Sequence, residues 1–274
     1  MMAAPHHRIH AIRYARHDRV AAENFIAGAT SPDDHASPMP LDYYVWAIER
    51  DGMAPVLVDT GFGAEAAARR GRTLIRPVTE GLQAIGIDPA TIEDVVITHL
   101  HYDHAGGLAD FPNARFHVQD DEMAFATGRS MLHKAIRAPF DVAPVQEMVG
   151  HVFGDRVVFH DGDEELAPGI VLRSLPGHTA GLQGVEVSTA RGPVLLASDV
   201  AHLYANLVRE TPFPIVVDVP AYLDAHRRLL ELVPGLDHII PGHDPLVLTA
   251  FPAGSAPDVS RVDLPPLQPI GDLV

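Results

Sequence analysis

Residues 98–104 read Thr98-His99-Leu100-His101-Tyr102-Asp103-His104. The run that feeds into them, Ile92–Thr98, is apolar and β-branched, so the pattern H-x-H-x-D-H begins where a buried strand ends. In a tight loop entering a helix, these four side chains converge on one small volume. Imidazole nitrogens with a carboxylate suit a borderline cation such as zinc. A solvated cluster of polar residues is the competing reading. Three histidines and an aspartate within six residues, directly after a strand, weigh against it.

The same placement recurs downstream. His178 follows the strand-like run Ile170–Leu175, Asp199 follows Pro193–Ala197, and His243 follows His238–Ile240 with its Pro241-Gly242 turn. Each alone reads as a turn residue; together they repeat one arrangement, a ligand-capable side chain at a strand end. Five histidines and two aspartates make a coordination set for two ions that share one carboxylate. In two-metal sites the ions sit roughly 3.5–4 Å apart and clamp both the attacking and the leaving oxygen.

Outward from these motifs, Tyr43–Glu49 and Pro55–Asp59 read as strands, the second stopping at Thr60-Gly61. Arg115–Val118, Arg156–His160 and Gly184–Ser188 are also strand-like. Val78–Ile85, ended by Gly86, and Ala221–Val233 have helical character. Asp120–Val149 is a longer helical region expected to break at Gly128, Pro139 and Pro144. Gly28–Pro40 reads as a loop, and the tail after Pro252 as extended chain. Short strands with helices between them predict α/β layers around packed sheets, with the reactive groups on strand-end loops.

The seven residues in this order, with Val58-Asp59-Thr60-Gly61 ahead of them, resemble the metallo-β-lactamase superfamily over roughly Tyr43–His243. The resemblance implies a four-layer αββα sandwich, an α/β fold, with metals at one edge of the sheets. It implies His99, His101 and His178 on one ion, Asp103, His104 and His243 on the other, Asp199 as the bridge, and Asp59 orienting a ligand. The phrases at 98–108, 176–182 (PGHTAGL) and 239–245 (IIPGHDP) look like the N-acyl-homoserine lactonase-like group, as does the length. The implied reaction is opening of a lactone ring by a hydroxide held between two zinc ions, with manganese, iron or cobalt as other ions such donors accept. Asp103 is then both ligand and catalytic residue. One departure stands out: the group's tyrosine three residues past the bridging aspartate is His202 here, with Tyr204 two residues further on. Both are candidates to assist at the carbonyl.

Bulk properties narrow the substrate. Acidic residues outnumber basic ones 36 to 20, for a net charge of −16, which argues against nucleic acid and anionic membranes as partners. The same count leaves no obvious basic cluster for an anionic conjugate, so a glyoxalase II-like thioester hydrolase ranks second to a lactonase acting on a neutral or apolar-substituted small lactone. A non-catalytic, metal-stabilised binding protein is the alternative from another class; the full ligand set counts against it. With no cysteine, thiolate sites and disulfides are excluded. Met1–Asp18 lacks the apolar stretch of a signal peptide, and nothing approaches the roughly 18 apolar residues of a membrane span. A single cytoplasmic domain over residues 1–274 is expected, with the oligomeric state open and a homodimer allowed. Phe25, Ile26, Met39, Trp46, Phe140, Met148, Val149, Phe213 and Ile215 are the apolar candidates for a substrate cleft.

Overall fold

The computed structural model describes residues 6–26, 35–50 and 52–274. Its strands, in chain order, are β1 (Arg8–His17), β2 (Leu41–Glu49), β3 (Val56–Val58), β4 (Thr73–Leu74), β5 (Asp94–Val96), β6 (Arg115–Gln119), β7 (Val157–His160), β8 (Glu164–Ala167), β9 (Ile170–Ser174), β10 (Gln183–Thr189), β11 (Gly192–Ser198), β12 (Ile239–Pro241) and β13 (Val259–Arg261). They form two sheets. One runs β13-β1-β2-β3-β5-β6-β7 with β4 added on β1, and the other runs β12-β11-β10-β9-β8.

Strand periodicity explains the layering. Successive side chains leave a strand on opposite faces. In β2, Trp46 and Ile48 enter the core between the sheets, while Val45 and Ala47 enter the one between the first sheet and its helices. In β11, Val194 and Leu196 face inward and Leu195 and Ala197 face outward. That outer face is covered by helix Val219–Leu232, which buries Tyr222, Ala225, His226 and Leu229 at helical spacing. Asp218 caps this helix by accepting from the Ala221 N–H at 3.0 Å. Val78 and Leu82, from helix Val78–Ala84, and Met148, from helix Val142–Phe153, cover the other outer face. Helix, sheet, sheet, helix is the four-layer sandwich that the resemblance implied.

The topology also sets where chemistry gathers. Strands β3, β5, β6 and β7 are mutually parallel, as are β11 and β12. The residues after β3, β5, β11 and β12 therefore emerge at the C-terminal ends of strands, as ligand sites in parallel sheets commonly do. Those residues are Asp59, Thr98-His99, Asp199 and His243.

Three expectations need correction. The segment at 8–17, to which no strand was assigned, is the longest strand of the first sheet. The tail is extended only in part: Val259–Arg261 pairs with β1 as a strand, but Ile270–Asp272 closes into a 3-10 turn. Pro144 does not break the helical region: it lies in the first turn of helix Val142–Phe153, where its missing N–H has no intrahelical partner to lose. Of the loop expected over Gly28–Pro40, residues 28–34 lie outside the described residues.

Candidate metal centre

His99, His101, His178, Asp199 and His243 stand on strand-end loops, and Asp103 and His104 in the one-turn helix Tyr102–Ala105 that follows the first of them. Gly177, before His178, has φ 136, and a Cβ on it would lie 2.4 Å from the Tyr222 nitrogen. Gly242, before His243, would place a Cβ 2.7 Å from Asp199 Oδ1. The Pro-Gly-His triplets at 176–178 and 241–243 are thus spaces where backbone must pass close to a neighbour.

The seven side chains meet in two groups. Donor atoms of His99, His101, His178 and Asp199 lie within 4.8 Å of one another, as do those of Asp103, His104 and His243. Asp199 spans both. Its Oδ1 faces His243 Nε2 at 2.9 Å and His104 Nε2 at 3.2 Å. Its Oδ2 faces His178 Nε2 at 3.1 Å and His99 Nε2 at 3.7 Å. One carboxylate thus offers one oxygen to each group.

The outward nitrogens are anchored. His104 Nδ1 lies 2.7 Å from Asp59 Oδ2, His178 Nδ1 lies 2.7 Å from the Ile215 carbonyl, and His243 Nδ1 lies 3.0 Å from the Asp42 carbonyl. A ring that donates its Nδ1–H outward keeps the Nε2 lone pair for the interior, the second-layer arrangement that fixes a histidine's tautomer at a metal. Asp59 does more than hold one ring. It also accepts from the Thr98 N–H and Thr98 Oγ1–H, both at 2.8 Å. Thr98 Oγ1 in turn reaches Ser198 Oγ at 2.9 Å, joining the two sheets behind the site.

This geometry fits cations better than protons. His99 Nε2 and His178 Nε2 both lie 3.0 Å from His101 Nδ1, a convergence that paired lone pairs do not tolerate alone. His104 Nε2 and Asp199 Oδ1 are buried without a hydrogen-bond partner. Burial pushes His99 and His101 well below the ordinary histidine range. Burial also acts to lower His104, but the carboxylates of Asp199, Asp59 and Asp103 outweigh it and hold the ring well above that range. Among the described residues no lysine or arginine pairs with those three carboxylates. Buried negative charge of this kind calls for a positive partner.

The two candidates for the carbonyl helper part ways. His202 comes to the cluster: its Nε2 is 3.0 Å from Asp199 Oδ2, and its ring stacks on Phe213 with centroids 3.7 Å apart. Burial lowers its pKa to about 3, leaving it neutral. Tyr204 does not come. It is fully buried between the sheets, and its hydroxyl donates to the Ile239 carbonyl at 2.7 Å. Helix Tyr204–Val208 begins there and turns the ring away from the loop. Tyr204→Phe should leave kcat unchanged and cost about 1 kcal/mol of stability for the lost hydrogen bond. Denaturant melts beside steady-state rates check this, and a large fall in kcat would restore Tyr204 to the reaction.

Among the apolar candidates, Phe213 and Ile215 line the cavity over the cluster, a space of about 230 Å³. Phe25, Trp46 and Met148 are core residues, and Met39 and Val149 pack against that core. The Ile26 N–H donates to the Pro212 carbonyl, and Ile26 does not line this cavity. Phe140 sets its ring edge-on to His101, 4.5 Å away, and lines a larger apolar groove of about 630 Å³ that contains no member of the cluster.

Sequence reasoning missed two features. Glu122 is fully buried and accepts from the Leu100 N–H at 2.8 Å and the Gly181 N–H at 3.2 Å, tying the His99–His101 loop to the His178 loop. Its only sequence signal is an acidic residue in the first turn of helix Asp120–Thr127, which every helix start invites. The second feature is a basic cluster after all: Arg19, from the turn after β1, and Arg70 and Arg72, from the end of helix Ala64–Arg70, gather at the same cavity.

With this geometry in place, the comparisons with known proteins fall into line. The family model for the metallo-beta-lactamase superfamily matches residues 39–245. An N-acyl homoserine lactonase of Bacillus thuringiensis is 30% identical over 206 residues, 69% of this chain and 76% of its own length. A quorum-quenching N-acyl homoserine lactone lactonase of known structure superposes with a TM-score of 0.71 at 26% identity, covering 89% of this chain and 95% of its own. An N-acyl homoserine lactone hydrolase with N-hexanoyl-L-homoserine at its catalytic metal center superposes with a TM-score of 0.70 at 25% identity, covering 88% and 94%. The chain belongs to the metallo-beta-lactamase superfamily, in its N-acyl homoserine lactonase-like group, and is a metal-dependent hydrolase. Among the described residues no helix is long and apolar enough to cross a membrane.

Proposed function

We propose that this hydrolase is a lactonase that holds two divalent cations, zinc first among them, on His99, His101, Asp103, His104, His178, Asp199 and His243. The observation that carries the reading is the division of Asp199, one oxygen toward each histidine group, at the floor of a cavity of small-molecule size. The chain's likeness to N-acyl homoserine lactonases supports a lactone as the substrate. The core layer shared by the two sheets supports treating residues 1–274 as one working domain.

Bound there, a pair of such cations supplies Lewis acidity to an ester carbonyl and draws a nucleophile from water at neutral pH. The chain's own residues do the rest. Asp59, Ile215 and Asp42 fix the histidine tautomers from behind. Phe213 and Ile215 make an apolar wall that orients the ring and excludes bulk water. His202, neutral and on the cavity wall, has a single N–H. Its Nε2 faces Asp199 Oδ2, and with that oxygen held by a cation the N–H would be free to turn to the carbonyl oxygen as negative charge builds on it. Loss of one such donor costs roughly 10²–10³ in kcat, so His202→Ala should slow turnover by that factor with the metal content intact. Metal analysis of the variant tests the assignment, because an accompanying loss of an ion would make His202 a ligand instead.

The function itself is tested by metal content after exhaustive dialysis and by a panel of γ-lactones, acyl-homoserine lactones, aryl esters and glutathione thioesters. About two ions per chain and the highest kcat/KM on a lactone are expected. Thioesters ahead of every lactone would favour the glyoxalase II-like reading, to which the arginines at the cavity lend a specific observation.

A further inference from the structure

The chain is strongly acidic, yet its metal-site cavity is lined by three arginines. Arg70 is already answered: it ion-pairs with Asp141 at 2.7 Å, and its guanidinium lies 3.9 Å from the Tyr102 ring centroid. Arg19 and Arg72 are not. Among the described residues neither has a carboxylate within ion-pair distance. Arg72 Nε donates to the Tyr102 hydroxyl at 3.1 Å, and its Nη1 donates to the Arg70 carbonyl and lies 3.2 Å from His17 Nε2, neutral partners that leave its charge without a counter-ion. Arg19 sits over the Phe213 ring at 4.9 Å and donates to the Glu23 carbonyl, while its buried Nε has no hydrogen-bond partner. Glu23 turns its carboxylate to the Val20 N–H instead, at 2.9 Å. The excess positive charge is felt locally: burial first, then Arg72 and Arg19, lowers His17 to about 4.

A half-buried guanidinium without an anion is costly, and a forked one is matched to a carboxylate. Asp103 and Asp199, the acids that share the cavity, are turned to the histidines. An anion from outside is the missing partner. We propose that Arg19 and Arg72 form a carboxylate-binding rim, and that the substrate is a small lactone bearing a carboxylate outside its ring. The inference rests on the lactonase reading and names its substrate class. A cavity of about 230 Å³ suits a single ring with a short charged substituent. In the reaction a water oxygen bonds to the carbonyl carbon and the ring C–O bond breaks. The ring oxygen leaves as a hydroxyl and one proton is released as the new carboxylate forms.

The test uses the metal-loaded full chain and a matched pair, 5-oxotetrahydrofuran-2-carboxylate and its primary amide. Wild type should favour the carboxylate by at least about tenfold in kcat/KM, the scale of one charge-assisted hydrogen bond. Arg19→Gln and Arg72→Gln should each bring that ratio toward one, and Arg→Lys at either position should recover part of it. A wild-type ratio near one, or a ratio that neither Gln variant moves, overturns the proposal while leaving the lactonase reading standing. If neither lactone turns over while an acyl-homoserine lactone does, the carboxylate-bearing substrate is overturned and the lactonase reading stands. If no lactone of the wider panel turns over, the lactonase reading fails and calorimetry decides the rim. Tighter binding of 2-hydroxyglutarate than of 4-hydroxybutyrate, lost in the Gln variants, supports it; equal binding refutes it.

Discussion

Asp199→Asn is expected to reduce the metal content from about two ions per chain to one or fewer and to lower kcat by on the order of 10²-fold or more. The reason is the way its two oxygens are divided. Oδ1 faces His104 and His243, and Oδ2 faces His178 and His99, all within 3.7 Å. An amide has nearly the same shape but replaces one oxygen with NH₂, which has no lone pair to give a cation. It also removes the negative charge that lets two cations share a small volume. Whichever way the amide turns, one histidine group loses its carboxylate. Metal analysis with steady-state rates reads both effects. Unchanged stoichiometry and rate would reduce Asp199 to a turn residue. Because Gly242 packs against Asp199 Oδ1, Gly242→Ala should behave as a weaker version of the same lesion.

The residues that cluster at the candidate metal centre were legible in the sequence because their signal is local. A strand period that ends at a histidine or an aspartate can be read in ten residues, and it repeats at 98–104, 178, 199 and 243. Strand β1 was not legible for the opposite reason. Its period is broken by a bulge between Arg13 and Ala15, and its inward polar side chains are satisfied from far away. His10 reaches Glu49 at 2.8 Å and Arg13 reaches Asp42 at 2.9 Å, with Asp258 on its other nitrogen. The arginine rim is a product of the fold in the same sense. A residue count shows a deficit of basic groups, but the turn after β1 and the end of helix Ala64–Arg70 bring Arg19, Arg70 and Arg72 to one cavity. Tyr204 shows the reverse error. Its distance along the chain from Asp199 invites a role, and a helix start two residues beyond His202 removes it.

Asp59→Asn should weaken binding at the Asp103, His104 and His243 group by about 10–100-fold, the range found when a second-layer partner is lost. Asp59 sits at φ 64, a left-handed conformation that asparagine also adopts, so the backbone is not the cause. Hydrogen bonding is. Asp59 is fully buried, and its two oxygens accept from the Thr98 N–H, the Thr98 hydroxyl and His104 Nδ1. An amide cannot accept at both positions. With NH₂ toward His104, the ring must turn its proton to Nε2, the nitrogen that faces Asp199 and the second ion. With NH₂ toward Thr98, two N–H donors confront each other with no water to relieve them. That conflict leaves a buried donor unsatisfied at about 1–3 kcal/mol. Both orientations are damaging, but they differ in kind, and the measurement separates them. Metal titration against a competing chelator should show the weaker site, while the first ion stays near its wild-type affinity. A variant whose second ion binds as in wild type, with only a lower melting temperature, would make Asp59 a structural clamp on Thr98 and remove it from the metal centre.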